Sequence, residues 1–236
     1  MHDILDPDQL YVTVDILILT VREGKLTLLL TRRNALPYIR RWALPGRFLQ
    51  MEESLENAVR KLMDEMLPIT ESFMEQLYTF ADVNRDPRGR VISAAYLVIL
   101  PWERLAEKLA RGKTPLKPFE VRMNKAGLLL VGEDGGVLTG SDLAFDHGRI
   151  IETGVNRLQG KINYTDIGFR FLNDPEAFSL SELQTVFEAV LNTPLDTSNF
   201  RRFILGRYEK NGRIGQTEQA GKKGRGRPAV LYRLKG

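Results

Sequence analysis

The sequence predicts an α+β chain in two parts, strands and helices mixed up to about residue 162 and a helical unit closed by a short hairpin after it. Three observations carry this. Strand-like runs and amphipathic helical patterns alternate between residues 11 and 158. From residue 167 onward the hydrophobic pattern becomes local and helical. The charge balance changes too: between Thr197 and Gly236 eleven Lys and Arg stand against two Glu, a net charge of +9. The whole chain carries +4, so the first 196 residues carry −5. An acidic body with a strongly basic end predicts two jobs, the second with a polyanion as partner. The expected domains are 1–162 and 163–236.

Residues 11–20 (YVTVDILILT) and 26–31 (LTLLLT) are β-rich runs separated by REGK, the pattern of a hairpin. Pro37, Pro45 and Gly46 then punctuate a loop. Ser54 precedes Leu55, Ala58, Val59, Leu62, Met63 and Met66, apolar positions three and four apart on one helical face, and Pro68 ends that helix. Strands are expected over 75–83 and 91–100, joined by the turn RDPRGR, then a helix over 102–111 and strands over 119–122 and 127–131. A helix is expected over 141–158, with Gly148 and Gly154 as breaks in its pattern. After the connector GKINYTD come three helical stretches, IGFRFL, SLSELQTVFEAVLN and TSNFRRFILGRY. Ser179 and Glu182 form a capping box in the second, and Asp196 or Thr197 caps the third, whose Phe200, Phe203, Ile204 and Tyr208 would face the core. GKKGRGRPAVLYRL closes the chain as a basic, glycine-broken hairpin.

Composition bounds the chemistry. At 236 residues and 43% hydrophobic content the chain can build two real cores. It has no cysteine, which excludes disulfides, thiolate metal sites and cysteine nucleophiles. His2 and His147 are too few for a His-rich zinc centre. No apolar run approaches the roughly 20 residues that span a bilayer, and MHDILDPDQL lacks the pattern of a secretory signal. A soluble, cytoplasmic protein without membrane contact is expected.

Two segments carry candidate functional residues. In GRFLQMEESLENAVRKLMDEMLPI (46–69), Gly46 and Glu52 precede Arg60, Lys61, Asp64 and Glu65. On a helix, positions 61, 64 and 65 share a face. Carboxylates there would converge on a hard cation such as Mg2+, which offsets phosphate charge and activates water. Lys61 replaces one such carboxylate with an ammonium that repels a metal and can itself neutralise a phosphate. Asp64 and Glu65 remain as candidate metal ligands. Read as a plain surface helix, the same residues would be tied by Glu56–Arg60 and Lys61–Glu65 pairs. The turn DVNRDPRGR sets Arg85, Arg88 and Arg90 near Asp86, types that bind phosphate or ribose. Arg32 and Arg47, flanking the loop, and His147, beside Asp146, complete the effector-site candidates, although packing or capping is the commoner role of a lone histidine.

At the basic end, three helical stretches followed by a basic hairpin form the pattern of a winged helix. Thr197, Ser198, Asn199, Arg201 and Arg202, at the exposed start of the third stretch, suit phosphates and base edges in a major groove. Lys222, Lys223, Arg225 and Arg227 would sit on the wing, and Arg225-Gly226-Arg227-Pro228 resembles the core of an AT-hook, which enters a narrow minor groove.

The 46–69 segment resembles the Nudix box: Gly, five residues, Glu, seven residues, Arg-Glu-apolar-any-Glu-Glu, any, Gly-apolar. Gly46, Glu52, Arg60, Leu62, Asp64 and Glu65 fit, with Asp64 for a glutamate, whereas Lys61 and Leu67-Pro68 depart. The resemblance covers roughly residues 10–150 and implies an α/β/α sandwich. Three stretches together, 46–69, LAFDHGRII (143–151) and 178–234, resemble the NrtR family of bacterial transcription regulators, a degenerate Nudix domain with a C-terminal winged helix-turn-helix domain. That resemblance covers nearly the whole chain. It implies a homodimer that binds a double-stranded DNA operator, represses genes of NAD metabolism and senses a nucleotide sugar such as ADP-ribose, with no catalytic residue required. Related members sense sugars and control sugar genes. The competing expectations are a Mg2+-dependent Nudix hydrolase of ADP-ribose, and a nonspecific nucleic-acid binder whose affinity falls steeply with salt.

Overall fold

β1 (Tyr11–Arg22) is buried continuously from Thr13 to Ile18 and on to Thr20, the signature of a strand covered on both faces. The computed structural model, which describes residues 6, 8–69, 72–112, 114–220 and 229–235, explains why. β1 pairs antiparallel with β2 (Lys25–Arg32) on one side and parallel with β6 (Val91–Ile99) on the other. Two short strands, β3 (Trp42–Ala43) and β4 (Gly46–Phe48), dock the loop against β2 and β1. After α1 (Leu55–Met66) come β5 (Phe73–Phe80), β6, α2 (Trp102–Ala110), β7 (Leu116–Asn124), β8 (Gly127–Gly132) and β9 (Val137–Thr139). The sheet runs β5-β6-β1-β2-β7-β8-β9.

Alternation along β1 divides its side chains between two cores. Val14, Ile16 and Ile18 pack with Ala58, Val59, Leu62 and Met63 of α1 and Leu105 of α2. Leu17 and Leu19 face the other way, toward Ile150, Ile151, Val155 and Leu158 of α3 (His147–Lys161). The expected α/β/α sandwich is present.

α3 begins six residues later than the sequence pattern predicts. Gly140–Asp142 form a single 3-10 turn, closed by Thr139 N–H and Oγ1 donating to Asp142 Oδ2 at 2.8 and 2.6 Å. Phe145 then adopts φ +54°, which no right-handed helix can include. Gly148 and Gly154 do not break α3. A Cβ at Gly148 would meet Gly140 O at 2.6 Å, and one at Gly154 would meet Leu17 Cδ2 at 2.2 Å, so both allow close packing.

The second part comprises a 3-10 turn (Asp166–Phe171), β10 (Phe178–Ser179), α4 (Leu180–Leu191), α5 (Thr197–Ile204), a π-turn (Leu205–Glu209), β11 (Ile214–Ala220) and β12 (Val230–Leu234). Its sheet runs β10-β12-β11, a winged helix as expected. Both bonds of the Ser179–Glu182 capping box form, and Asp196 caps α5 by accepting from Asn199 N–H at 2.8 Å. Phe200, Ile204 and Tyr208, four apart, are buried. Phe203 is a correction: one step off that stripe, it stays 37% exposed in a T-shaped contact with Phe187. The wing residues Lys222, Lys223, Arg225 and Arg227 lie outside the described residues.

The two parts share one core, which runs from Leu28 through Leu158 to Leu183 and Phe187. Gln159 Nε2 of α3 donates to Val190 O of α4 at 3.0 Å. Among the described residues no helix is long and apolar enough to cross a membrane.

Candidate functional site

A single acidic residue interrupts the apolar run of β1. Asp15 is 6% exposed and pairs across the sheet with Gly46 of β4. A Cβ at Gly46 would come within 2.1 Å of Asp15 Oδ1, so the first glycine of the box is needed for room over a carboxylate. A buried carboxylate requires partners. Asp15 Oδ2 accepts from Ser93 Oγ at 2.5 Å, Thr13 Oγ1 at 3.4 Å and Arg85 Nη2 at 3.5 Å. Arg85 is itself buried and binds Asp146 in a two-pronged fashion, Nε to Oδ2 at 3.0 Å and Nη2 to Oδ1 at 2.8 Å. This ties the 82–90 turn to the start of α3.

His147 completes the floor. Its Nδ1 accepts the Leu44 N–H at 2.8 Å, which leaves the imidazole proton on Nε2, 3.6 Å from Asp15 Oδ1. Burial pushes the His147 pKa below its ordinary value, against the pull of Asp15 and Asp146. The ring is neutral near pH 7.

The outer wall is aromatic and cationic. Arg88 grips Asp86 through Nε and Nη2 at 3.0 and 2.7 Å, and its guanidinium lies 5.2 Å from the Phe48 ring and 5.5 Å from the Phe145 ring. Arg33 approaches Phe145 to 4.7 Å and donates to Pro37 O at 2.8 Å. Burial, then the charge of Arg88, lower the Arg33 pKa, yet an arginine so placed stays charged. The left-handed backbone of Phe145 costs about 1–2 kcal/mol and sets its ring between two guanidinium groups. The cleft enclosed has a volume of about 210 Å³, and four arginines (33, 47, 85 and 88) face two aspartates (15 and 86) on its lining. That is below the ~300 Å³ at which pockets engulf a whole drug-sized ligand. A cleft of this size and charge has room for the polar, anionic part of a larger molecule.

The box itself departs from the expected metal site. Lys61 Nζ lies 2.9 Å from Glu53 Oε1, not against Glu65, and this bond holds the Glu53 carboxyl below the usual range. Arg47 Nη1 is 3.7 Å from Glu53 and 3.9 Å from Glu65. Glu52, Arg60, Asp64 and Glu65 are exposed, while Glu56 Oε1 accepts from Tyr96 OH at 3.5 Å. The convergence expected of positions 61, 64 and 65 is not formed, because Lys61 turns back to the loop. Among the described residues no three His, Cys, Asp or Glu side chains gather closely enough to hold a metal ion. With Lys61 and Arg47 matched against Glu53 and Glu65, the residues present do not fit a hard divalent cation.

The structure thus brings Arg47, Arg85, Asp86, Arg88 and His147 together around one cleft. Arg32 and Arg90 lie off the lining of this cleft. Arg32 folds back to donate to Arg40 O at 2.9 Å, and Arg90 bonds Ala81 O and Asp82 O, closing its own turn. Sequence reasoning missed Asp15, Arg33 and Phe145. Asp15 had a signal, a lone charge in an apolar strand. Phe145 had none, because its role comes from a backbone conformation. On the winged helix, Thr197, Ser198, Asn199, Arg201 and Arg202 of α5 are all exposed. Gln184 Nε2 donates to Thr197 Oγ1 at 3.4 Å, and Arg202 Nη2 to Asn199 Oδ1 at 3.3 Å.

Comparison with known proteins agrees with this division. A NUDIX domain model matches residues 10–122, and the NrtR DNA-binding winged helix domain matches residues 168–234. The ADPR responsive transcriptional repressor NtrR of Acinetobacter baylyi is 31% identical over 225 residues, spanning 94% of this chain and 81% of that protein. Shewanella oneidensis NrtR, crystallised with a 27mer DNA, superposes with a TM-score of 0.75 at 29% identity, covering 95% of this chain and 93% of that one. A MutT/nudix family protein from Enterococcus faecalis gives a TM-score of 0.74 at 25% identity, covering 98% and 88%.

Proposed function

This chain belongs to the NrtR family of transcriptional regulators, and from that premise we propose that it is a repressor whose operator binding is controlled by ADP-ribose held in its Nudix cleft. The observation that carries the reading is the joining, in one chain, of an arginine-lined cleft whose box pairs its carboxylates with cations to an added winged helix. ADP-ribose suits the cleft chemically, since its diphosphate answers the excess of arginine over aspartate on the lining. The Acinetobacter relative, described as ADPR responsive, supports the same choice.

In this reading residues 1–162 sense the effector and 163–236 bind DNA. Thr197, Ser198, Asn199, Arg201 and Arg202 of α5 approach the major groove, and two copies of the chain, as a homodimer in the cytoplasm, engage a near-palindromic operator of NAD-metabolism genes. ADP-ribose weakens that engagement by binding better to the arrangement unsuited to the two half-sites. A gel-shift titration with the upstream region of the protein's own operon tests this. A discrete complex at moderate salt that ADP-ribose dissolves is expected. No complex with or without the nucleotide, or Mg2+-dependent release of AMP from ADP-ribose at ordinary enzyme rates, would sink it.

A further inference from the structure

A divalent cation needs carboxylate oxygens in excess of nearby positive charge. The altered box builds the opposite balance. Glu53, with a side chain only 3% exposed, has Lys61 Nζ at 2.9 Å and Arg47 Nη1 at 3.7 Å, and Glu65 has Arg47 Nη1 at 3.9 Å. At the two longer distances Arg47 Nη1 makes ion pairs but no hydrogen bond, and both it and Glu53 Oε1 are shielded from solvent without a hydrogen-bond partner. A shielded guanidinium N–H that makes no hydrogen bond is uncommon and keeps a donor in reserve. Arg47 also lines the cleft. Its neighbours Arg85 and Arg88 already donate to Asp146 and Asp86.

We propose that the cleft takes the diphosphate of its effector without a divalent metal. Arg47 makes the charge-assisted bond to a phosphate oxygen that a metal ion would otherwise supply. Lys61 is a positioning residue: by neutralising Glu53 it keeps Arg47 from closing onto that carboxylate and leaves its N–H for the ligand. The substitution that sets this chain apart from a hydrolase box thereby serves recognition. This rests on the assignment of ADP-ribose as effector.

Isothermal titration of the full chain with ADP-ribose, once in excess EDTA and once in millimolar Mg2+, tests it. The two dissociation constants are expected to agree within about twofold, and Arg47→Ala to weaken binding about tenfold or more in both buffers. Lys61→Glu sets a third carboxylate beside Glu53 and Glu65, so its binding falls in EDTA and recovers with Mg2+, whereas Lys61→Arg keeps the wild-type values. Wild-type binding that weakens about tenfold in EDTA overturns the inference and leaves the effector standing. So does an Arg47→Ala variant as tight as wild type. Binding in neither buffer removes the effector assignment and this inference with it. The wild-type comparison decides the metal whatever the variants' stability, and Arg47→Ala decides the arginine.

Discussion

Asp15, Arg85 and His147 form a buried set with the partly buried Asp146, in which every charge has a partner and the histidine carries no charge. Such sets cost stability to assemble and more to break, about 3–5 kcal/mol when one partner of a buried pair is removed. His147 gives the set a measurable acid limit. Burial holds its folded pKa below the ordinary 6.5, so the unfolded chain accepts a proton that the folded chain refuses. The contribution is therefore complete above pH 6.5 and is lost as pH falls below it. Asn at 147 keeps an acceptor for the Leu44 N–H but cannot titrate. Urea unfolding at several pH values below 6.5 should give a shallower loss of stability for His147→Asn than for wild type, and equal slopes would remove His147 from the account. In the sequence this set was half visible. Arg85 and His147 stood out by type, whereas Asp15 was hidden in an apolar strand whose pairing with β4 the sequence does not show.

Among the elements, α3 shows most clearly what periodicity reads and what it cannot. Its apolar stripe was legible, and its start was not, because the residues before it are held by Thr139–Asp142 bonds and by the left-handed Phe145. The glycines that looked like interruptions are positions of contact. Gly148 lies against the backbone of Gly140, which cannot rotate away, whereas a Cβ at Gly160, near the end of the same helix, meets nothing within 4 Å. Alanine should therefore act in opposite directions at the two sites. Gly148→Ala is expected to destabilise by about 1–3 kcal/mol through overpacking, and Gly160→Ala to stabilise by about 0.5–1 kcal/mol through helix propensity. Thermal or urea unfolding of both variants checks this pair. A loss at both sites would mean that α3 tolerates no added methyl and that backbone contact at Gly148 is not the cause. Short strands such as β3 and β4 escaped the sequence for a related reason: two or three residues carry no period, and they exist because a loop lies along β2 and β1.

Across the whole molecule, the acidic body and basic end were plain from charge alone, while the way the two halves join was not. The join is a shared core and a helix that touches both ends of the problem. At its first residues α3 carries Asp146 and His147, bound to Arg85 and Leu44 in the cleft. About 20 Å away, at 1.5 Å rise per residue, Gln159 bonds Val190 O of α4, which packs in the core that also holds Phe200 and Ile204 of α5. A ligand that competed with Asp146 for Arg85 would loosen the anchor of α3, whose far end packs against the DNA-binding unit. Coupling of this kind is reciprocal: the factor by which ADP-ribose weakens operator binding equals the factor by which operator weakens ADP-ribose binding. Gln159→Ala removes one contact at the far end and none in the cleft. It should leave the affinity for ADP-ribose alone and for operator alone nearly as in wild type, and reduce the coupling factor by about threefold, the share one hydrogen bond of roughly 0.5–1.5 kcal/mol can carry. Anisotropy titrations of operator with and without ADP-ribose measure all three quantities. An unchanged coupling factor would show that the signal passes through the rest of the shared core, and a loss of ADP-ribose affinity itself would show that α3 acts on the cleft instead of reporting from it.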